Sequence, residues 1–252
     1  MAARTPLIAG NWKMFGRRTD LAEIAKLSTR LAGAGARVEA LVCPAAPYIA
    51  AAVDMAKGGA LAIGGQDCSS VAADAARTGE VSAGMLADLG ASYVIVGHSE
   101  RRTLLGETDD LVRAKAEAAV AAGLTPIVCV GETAAHRAAG QVGEVVSAQS
   151  LASAPAQGNF VVAYEPVWCI GGDRTPTMAE IAEAHAFIRA ALASRYGAEK
   201  AESTRILYGG SVGPKNAAEV FSAPGVDGAL VGRASVKADD FAAIIFAHPA
   251  AS

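Results

Sequence analysis

Residues 160–166 read FVVAYEP, and residues 177–197 read TMAEIAEAHAFIRAALASRYG. Together these two stretches decide the fold. The first is almost continuously apolar, as expected of a β-strand that is covered on both faces. The second is rich in alanine, and its apolar residues recur at helical spacing. A buried strand followed by a helix is the repeating unit of a parallel α/β protein.

The same unit recurs along the whole chain. A second helical segment, TDLAEIAKLSTRLAGAG, begins at Thr19, and seven further apolar runs resemble the strand already described. The eight candidate strands are residues 6–12, 38–44, 60–67, 93–98, 125–131, 160–166, 205–210 and 228–234. Strands that alternate with helices in this way pair in parallel through right-handed crossovers.

Two arrangements of eight such units are possible, a closed barrel and an open doubly wound sheet. The open sheet of dinucleotide-binding proteins carries a GxGxxG sequence after its first strand, and this chain has none there. Eight units in 252 residues also suit a barrel. We therefore expect an α/β protein with one domain over residues 1–252, a (β/α)8 barrel with a parallel eight-stranded sheet.

The overall charge excludes some classes of partner. The chain has 22 basic and 25 acidic residues and a formal net charge of −3. This balance argues against a broad binding surface for nucleic acid or for an anionic membrane. The first twenty residues lack the apolar core of a signal peptide, and no run is long enough to span a membrane, so we expect a cytoplasmic protein.

The cysteines and histidines give no sign of a metal centre. The four cysteines and the four histidines are widely spaced, without a CxxC pair or a Cys/His cluster. Structural zinc sites need such clusters. We expect reduced thiols, no metal and no cofactor.

Polar residues cluster at the carboxyl ends of the candidate strands. In a parallel barrel these ends share one mouth, where active sites are built. A single polar residue there is equally explained by a solvated strand end, but seven from six strands are harder to attribute to chance. They are Asn11, Lys13, Gln66, His98, Glu132, Glu165 and Ser211.

Three of these residues suit acid–base chemistry. Glu165 has mostly apolar neighbours, which would raise its proton affinity and make it a general base; the alternative is a carboxylate paired with a basic residue. His98 precedes SERR, where we expect a helix that Ser99 caps. The backbone amides at the start of this helix would keep the imidazole neutral. The alternative is an ordinary hydrogen-bonded histidine of the core. Lys13 offers a compact positive charge, unless it is an ordinary surface lysine.

Glycine-rich turns follow the last two strands. Residues 208–212 read YGGSV and residues 231–235 read VGRAS. Glycines allow backbone amides to approach a ligand closely, and barrels often bind phosphate at this place. The two turns therefore predict a phosphate site.

Six motifs, in order and spread over the whole chain, resemble the triosephosphate isomerase family. They are GNWKM (10–14), VGHSERR (96–102), CVGE (129–132), AYEPVW (163–168), YGGSV (208–212) and GALVG (228–232). The resemblance implies a TIM barrel that interconverts dihydroxyacetone phosphate and D-glyceraldehyde 3-phosphate through an enediol or enediolate, in glycolysis and gluconeogenesis. It makes Glu165 the proton-shuttling base and His98 the electrophile, and it makes Asn11 and Lys13 substrate contacts.

The resemblance also implies how phosphate is bound and which residues support the catalytic groups. Glu100 would lie close to Lys13, and Cys129 would pack behind Glu165. Arg233 stands where the family often has glycine, and we expect its side chain to point to solvent. Four backbone amides would hold the phosphate, those of Gly171, Ser211, Gly232 and Arg233.

Two loops carry further expectations from the resemblance. Pro166 and Pro176 enclose a glycine-containing segment that suits a hinged lid. The loop 66–85 would join two chains in a homodimer by inserting Thr78 into the partner. Residues 75–80 read AARTGE and depart from the usual family sequence, which leaves the strength of the dimer open.

Three rival functions remain at this point. A sibling isomerase would use the same residues on a four-carbon sugar phosphate. A non-catalytic barrel should have lost a site residue, yet the chain keeps all four of Asn11, Lys13, His98 and Glu165. A Schiff-base aldolase needs a lysine at the end of a middle strand, where this chain has Gly131, Pro166 and Gly210.

Overall fold

The computed structural model describes residues 4–32, 37–169 and 174–251. Within them, each of the eight candidate runs contains a strand. The strands are β1 (Leu7–Asn11), β2 (Glu39–Cys43), β3 (Leu61–Gly65), β4 (Tyr93–Val96), β5 (Thr125–Val130), β6 (Val161–Tyr164), β7 (Ile206–Tyr208) and β8 (Gly228–Val231).

The strands form a closed parallel barrel in sequence order. Leu7 of β1 pairs with Glu39 of β2 on one side and with Gly228 of β8 on the other. The pairing of β8 with β1 leaves no open edge, which confirms the barrel and excludes the doubly wound sheet. All carboxyl ends of the strands consequently face the same end of the molecule.

Helices follow the strands around the outside of the barrel. Those described are α1 (Ala22–Ala32), α2 (Ile49–Ala56), α3 (Ala83–Asp88), α4 (Ser99–Leu105), α5 (Asp109–Ala121), α6 (Ala134–Ala138), α7 (Val142–Ser153), α8 (Met178–Tyr196), α9 (Ala198–Ser203), α10 (Ala217–Ser222) and α11 (Ala238–Phe246). Short 3-10 helices cover Arg18–Leu21, Ala46–Tyr48, Val167–Cys169, Arg233–Ser235 and Pro249–Ala251. Both predicted helical segments contain a helix, α1 with its preceding 3-10 turn and α8. Residues 33–35, the end of the first predicted segment, lie outside the described residues.

The barrel separates two apolar cores. Residues such as Leu41, Ile127 and Leu207 form a cluster among the strands themselves. Their neighbours in sequence, such as Val42 and Val128, belong to a larger cluster shared with the helices. Because both faces of every strand are covered, the strands are nearly continuously apolar rather than alternating.

No described helix is long and apolar enough to cross a membrane.

Candidate active site

One cavity at the carboxyl ends of the strands brings together most of the predicted site residues. It has a volume of ≈ 320 Å³. Its lining includes Asn11, Lys13, His98, Glu165, Ser211, Gly232 and Arg233. Two other polar residues at strand ends lie outside it: Gln66 lines a neighbouring cavity, and Glu132 is fully buried.

Glu165 follows β6 directly and is 2% exposed. The backbone of β5 approaches it so closely that a Cβ atom on Gly131 would lie 1.7 Å from the carbonyl oxygen of Glu165. The carboxylate accepts three hydrogen bonds. Its Oε2 accepts from the Ser99 amide at 2.8 Å, and its Oε1 accepts from Ser99 Oγ at 3.2 Å and from His98 Nε2 at 2.9 Å.

The prediction of a raised proton affinity for Glu165 is wrong for this arrangement. Burial does raise its pKa, but the His98 ring, the Ser99 amide and the Cys129 thiol outweigh burial, and the pKa lies below its ordinary value. Sequence neighbours alone suggested the opposite, because these three groups come from parts of the chain far from Glu165 in sequence. The carboxylate is therefore ionised and ready to accept a proton.

His98 lies between β4 and α4 and caps the helix itself. Its Nδ1 accepts the Glu100 amide at 3.2 Å, so the prediction that Ser99 is the cap is wrong. A nitrogen that accepts an amide N–H carries no proton, which places the single ring proton on Nε2, facing Glu165, and makes the imidazole neutral. Burial lowers the pKa of His98, but the Glu165 carboxylate raises it above its ordinary value. That effect disappears when Glu165 takes up a proton.

Lys13 is held in place by its neighbours on three sides. It is the one described residue other than glycine with a positive φ, at 52°. The Asn11 side chain accepts its amide at 2.9 Å, and Gln66 Nε2 donates to its carbonyl at 2.8 Å. Its ammonium lies 2.7 Å from Oε1 of Glu100, as the sequence predicted. These contacts stabilise a left-handed backbone that a lysine adopts only when its surroundings require it.

The turns after β7 and β8 provide the glycine-rich wall of the cavity. Ser211 and Gly232 line it beside Arg233. Arg233 is exposed, as expected, and its guanidinium carbon lies 4.8 Å from the ring centre of Phe15. This cation–π contact joins the loop after β8 to the loop after β1.

Cys129 lies in β5 and is fully buried. Burial raises the pKa of its thiol well above the ordinary value, and the charge of the neighbouring Glu165 carboxylate raises it further. The thiol therefore remains protonated and supports the carboxylate, which rules it out as a nucleophile in this setting.

Two further features concern the limits of the sequence prediction. Sequence reasoning missed Ser99 as a partner of Glu165, since the two residues are far apart in the chain. Gly171 and the rest of residues 170–173, the predicted centre of the lid, lie outside the residues that the structure describes.

Across the described ranges, no group of three or more His, Cys, Asp or Glu side chains is placed to hold a metal ion.

Comparisons with known proteins agree with this geometry. The sequence model of the family described as triosephosphate isomerase matches residues 6–248. The chain is 54% identical to the triosephosphate isomerase of Afipia carboxidovorans over 97% of this chain and 98% of that protein. It is 52% identical to the Rhizobium meliloti protein of the same name, over 96% of each.

A solved structure is also similar. The crystal structure of triosephosphate isomerase from Bartonella henselae superposes with a TM-score of 0.89 and 43% sequence identity, covering 96% of this chain and 98% of that one. Family, relatives and fold all extend over nearly the whole chain. The chain belongs to the triosephosphate isomerase family.

Proposed function

We propose that this protein interconverts dihydroxyacetone phosphate and D-glyceraldehyde 3-phosphate, a step of glycolysis and gluconeogenesis, through a cis-enediol or enediolate. One observation carries the proposal. Oε1 of the Glu165 carboxylate and Nε2 of the His98 ring lie 2.9 Å apart and share a small cavity with a lysine and a glycine-rich wall. A base, an electrophile and a cation around one substrate are what proton transfer next to a carbonyl requires.

Glu165 acts as the base. It removes a proton from the carbon beside the substrate carbonyl and returns it to the neighbouring carbon, which converts ketose to aldose. In the resting arrangement its two oxygens are occupied by Ser99 and His98, so the carboxylate must leave these donors to face the substrate. Leaving them removes the contacts that lower its pKa while burial still raises it, so Glu165 becomes more basic where it meets carbon.

His98 and Lys13 stabilise the charge that develops on oxygen. The Nε2 proton of His98, released from Glu165, donates to the carbonyl oxygen as it becomes an enediolate. The Lys13 ammonium, fixed by Glu100 and by its own strained backbone, offsets the negative charges of the intermediate and of the phosphate. Asn11 contributes by holding the lysine backbone.

Backbone amides hold the phosphate. The donors of this proposal are the amides of Ser211, Gly232 and Arg233, with Gly171 from the lid as the fourth. Amides keep this capacity whatever the side chain, so arginine at position 233 is compatible with it. Side chains and amides of the chain itself supply every role, and the proposed reaction uses no cofactor.

We further propose one barrel domain over residues 1–252 that functions as a homodimer. Between β3 and α3 a long segment, residues 66–82, runs without helix or strand beside a cavity of ≈ 650 Å³ that Lys13 also lines. Met14 is 97% exposed and Leu105 64% exposed at the same cavity. A second copy of the 66–85 loop would cover these apolar groups and would lie beside Asn11 and Lys13.

A coupled assay tests the reaction. Purified protein is given D-glyceraldehyde 3-phosphate, and dihydroxyacetone phosphate is detected through its reduction by a dehydrogenase. The same assay with a four-carbon sugar phosphate compares kcat/KM for the two substrates. We expect turnover with the three-carbon substrate and a higher kcat/KM for it; no turnover with either substrate would refute the proposal.

A further inference from the structure

A second cavity reaches Glu165 independently of the substrate cavity. It has a volume of ≈ 200 Å³, and its walls include Ser99, Cys129, Gln149 and Glu165. Among the residues that the structure describes, Glu165 is the one that lines both cavities. The carboxyl group therefore separates two spaces, of which the proposed reaction uses one.

This second cavity extends from the buried carboxyl to the protein surface. Ser99 and Glu165 are buried at its inner end, at 6% and 2% exposure. Thr103 of α4 and Thr133 before α6 also line it, and both are exposed. The cavity consequently connects Glu165 with bulk solvent by a route that does not pass the substrate.

The cavity is large enough for water and carries polar groups, although most of its wall is apolar. The hydroxyls of Ser99, Thr103 and Thr133 and the amide of Gln149 line it. Its volume corresponds to about six water molecules at ~30 Å³ each, and the waters next to these groups would find polar partners. Hydrogen bonds to these groups would offset the cost of ordering such waters.

Ser99 Oγ connects the carboxyl group to this space. It lies 3.2 Å from Glu165 Oε1, and a hydroxyl both donates and accepts hydrogen bonds. When Glu165 carries a proton back to its resting position beside Ser99, that proton can pass to Ser99 Oγ while the hydroxyl hydrogen of Ser99 passes to water in the cavity. The reverse step returns a solvent proton to Glu165, so hydrogens are exchanged without any net change in protonation.

We propose that the Ser99 cavity is a proton exit, through which hydrogen taken from the substrate by Glu165 exchanges with bulk water. The inference rests on the proposed function, because Glu165 must first act as the base. Exchange through the cavity competes with return of the same hydrogen to the substrate. The cavity therefore determines which fraction of product keeps the hydrogen of the substrate.

Isomerisation in D₂O measures this fraction directly. Hydrogen-bearing substrate is converted by the unmodified protein, and proton NMR gives the ratio of product that carries deuterium to product that keeps hydrogen. Thr103→Met fills the outer end of the cavity, whereas Thr103→Val keeps its size and serves as the matched control. Ser99→Ala removes the connecting hydroxyl and tests the inner end.

We expect the ratio of exchanged to retained product to fall severalfold in Thr103→Met and in Ser99→Ala. The ratio should stay unchanged in Thr103→Val. Turnover of both Thr103 variants should remain near that of the unmodified protein. An unchanged ratio in Thr103→Met and Ser99→Ala would overturn the inference and leave exchange to the substrate cavity. Absence of isomerisation in all four proteins is a separate result, which would refute the proposed function and the inference together.

Discussion

Glu165 illustrates how one residue can be ionised at rest and strongly basic in the reaction. Three donor atoms of His98 and Ser99, which follow β4, hold its carboxylate, although it is almost fully buried. Hydrogen bonds to the charged form offset the cost of burying it. A carboxylate stabilised only by contacts that it must leave gains proton affinity at the moment of proton transfer.

His185 is a second buried titratable residue, remote from the proposed chemistry. Its Nδ1 lies 2.9 Å from the carbonyl oxygen of Gly225, and its Nε2 has no hydrogen-bond partner among the described residues. Burial lowers the pKa of His185 to about 4. Between pH 6.5 and 4 the unfolded chain therefore binds a proton that the folded chain excludes.

We expect the free energy of unfolding to fall as the pH drops through this window, by about 3 kcal/mol from this residue. His185→Asn, which keeps a donor near the carbonyl of Gly225, should be less stable at pH 7 but should lose less stability between pH 6.5 and 4. Urea unfolding at both pH values measures the difference. Equal pH slopes for the two proteins would contradict the assignment.

The contact between Arg233 and Phe15 makes a prediction about stability. Phe15→Leu and Arg233→Met each remove the cation–π contact, so the double variant should cost less than the sum of the single variants, with a coupling of about 0.5–1 kcal/mol. Thermal unfolding of all four proteins in the cycle gives this coupling. Strictly additive losses would show that the contact stabilises nothing.

At the level of elements, one ion cluster fixes both flanks of residues 170–173. Trp168 lies between two guanidinium groups, with Arg137 at 4.6 Å and Arg174 at 4.7 Å from its ring centre. Glu180 binds both arginines at 2.7 Å and also accepts the Thr177 amide at the start of α8. Glu180 thus connects the start of α8 with Arg174, which follows the predicted lid, and with Arg137, which stacks on Trp168 before the lid.

Loss of this carboxylate should be visible as a change in acid stability. Burial raises the pKa of Glu180, but the Thr177 amide and Arg137 outweigh it and lower the pKa to about 2. A lowered carboxyl pKa adds stability that is complete above pH 4.5 and is lost as the pH falls towards 2. Glu180→Gln should therefore be less stable at pH 7, by on the order of 2 kcal/mol after allowance for partial exposure, and should be less sensitive to pH below 4.5.

Thermal unfolding at pH 7 and pH 3.5 checks this prediction. Glu183→Gln, an exposed carboxylate on the same helix, is the matched control and should behave like the unmodified protein. If Glu180→Gln and Glu183→Gln lose the same thermal stability at pH 7, the contacts of Glu180 add no more stability than an exposed carboxylate does.

The elements were predictable from the sequence because their patterns are local. Each strand is an apolar run covered on both faces, and α8 begins at Thr177 with Glu180 completing its capping box. The carboxyl ends of parallel strands then place Asn11, Lys13, His98 and Glu165 near one another. The donors to Glu165 and the stacking of Arg233 were not predictable, because they depend on contacts between distant segments.

At the level of the whole molecule, the proposed dimer interface lies at the same end of the barrel as the candidate active site. The loop after β3 and the exposed residue Met14 lie at the same end of the barrel as the candidate active site. If the apolar side chain of Met14 stayed uncovered, the strained backbone at Lys13 would have no packing on its outer side. We therefore expect the proposed dimer to stabilise the active site as well as the fold.

Met14→Glu places a charge in the proposed interface and should convert the dimer to a monomer with a lower kcat. Phe246→Glu is the control, since Phe246 is also exposed, at 40%, but ends α11 away from the 66–85 loop. Light scattering at micromolar concentration measures the mass, and the coupled assay measures kcat. A fully active monomer of the unmodified protein would contradict the dimer proposal.

Glu165→Gln is the decisive test of the proposal that Glu165 is the base of a triose phosphate isomerase. The amide keeps the size of the side chain but cannot accept a proton from carbon, so kcat for D-glyceraldehyde 3-phosphate should fall at least about a hundredfold. KM should change by less than about tenfold, because an interaction of the transition state is lost. A Glu165→Gln protein that isomerises this substrate at nearly the unmodified rate would contradict the account.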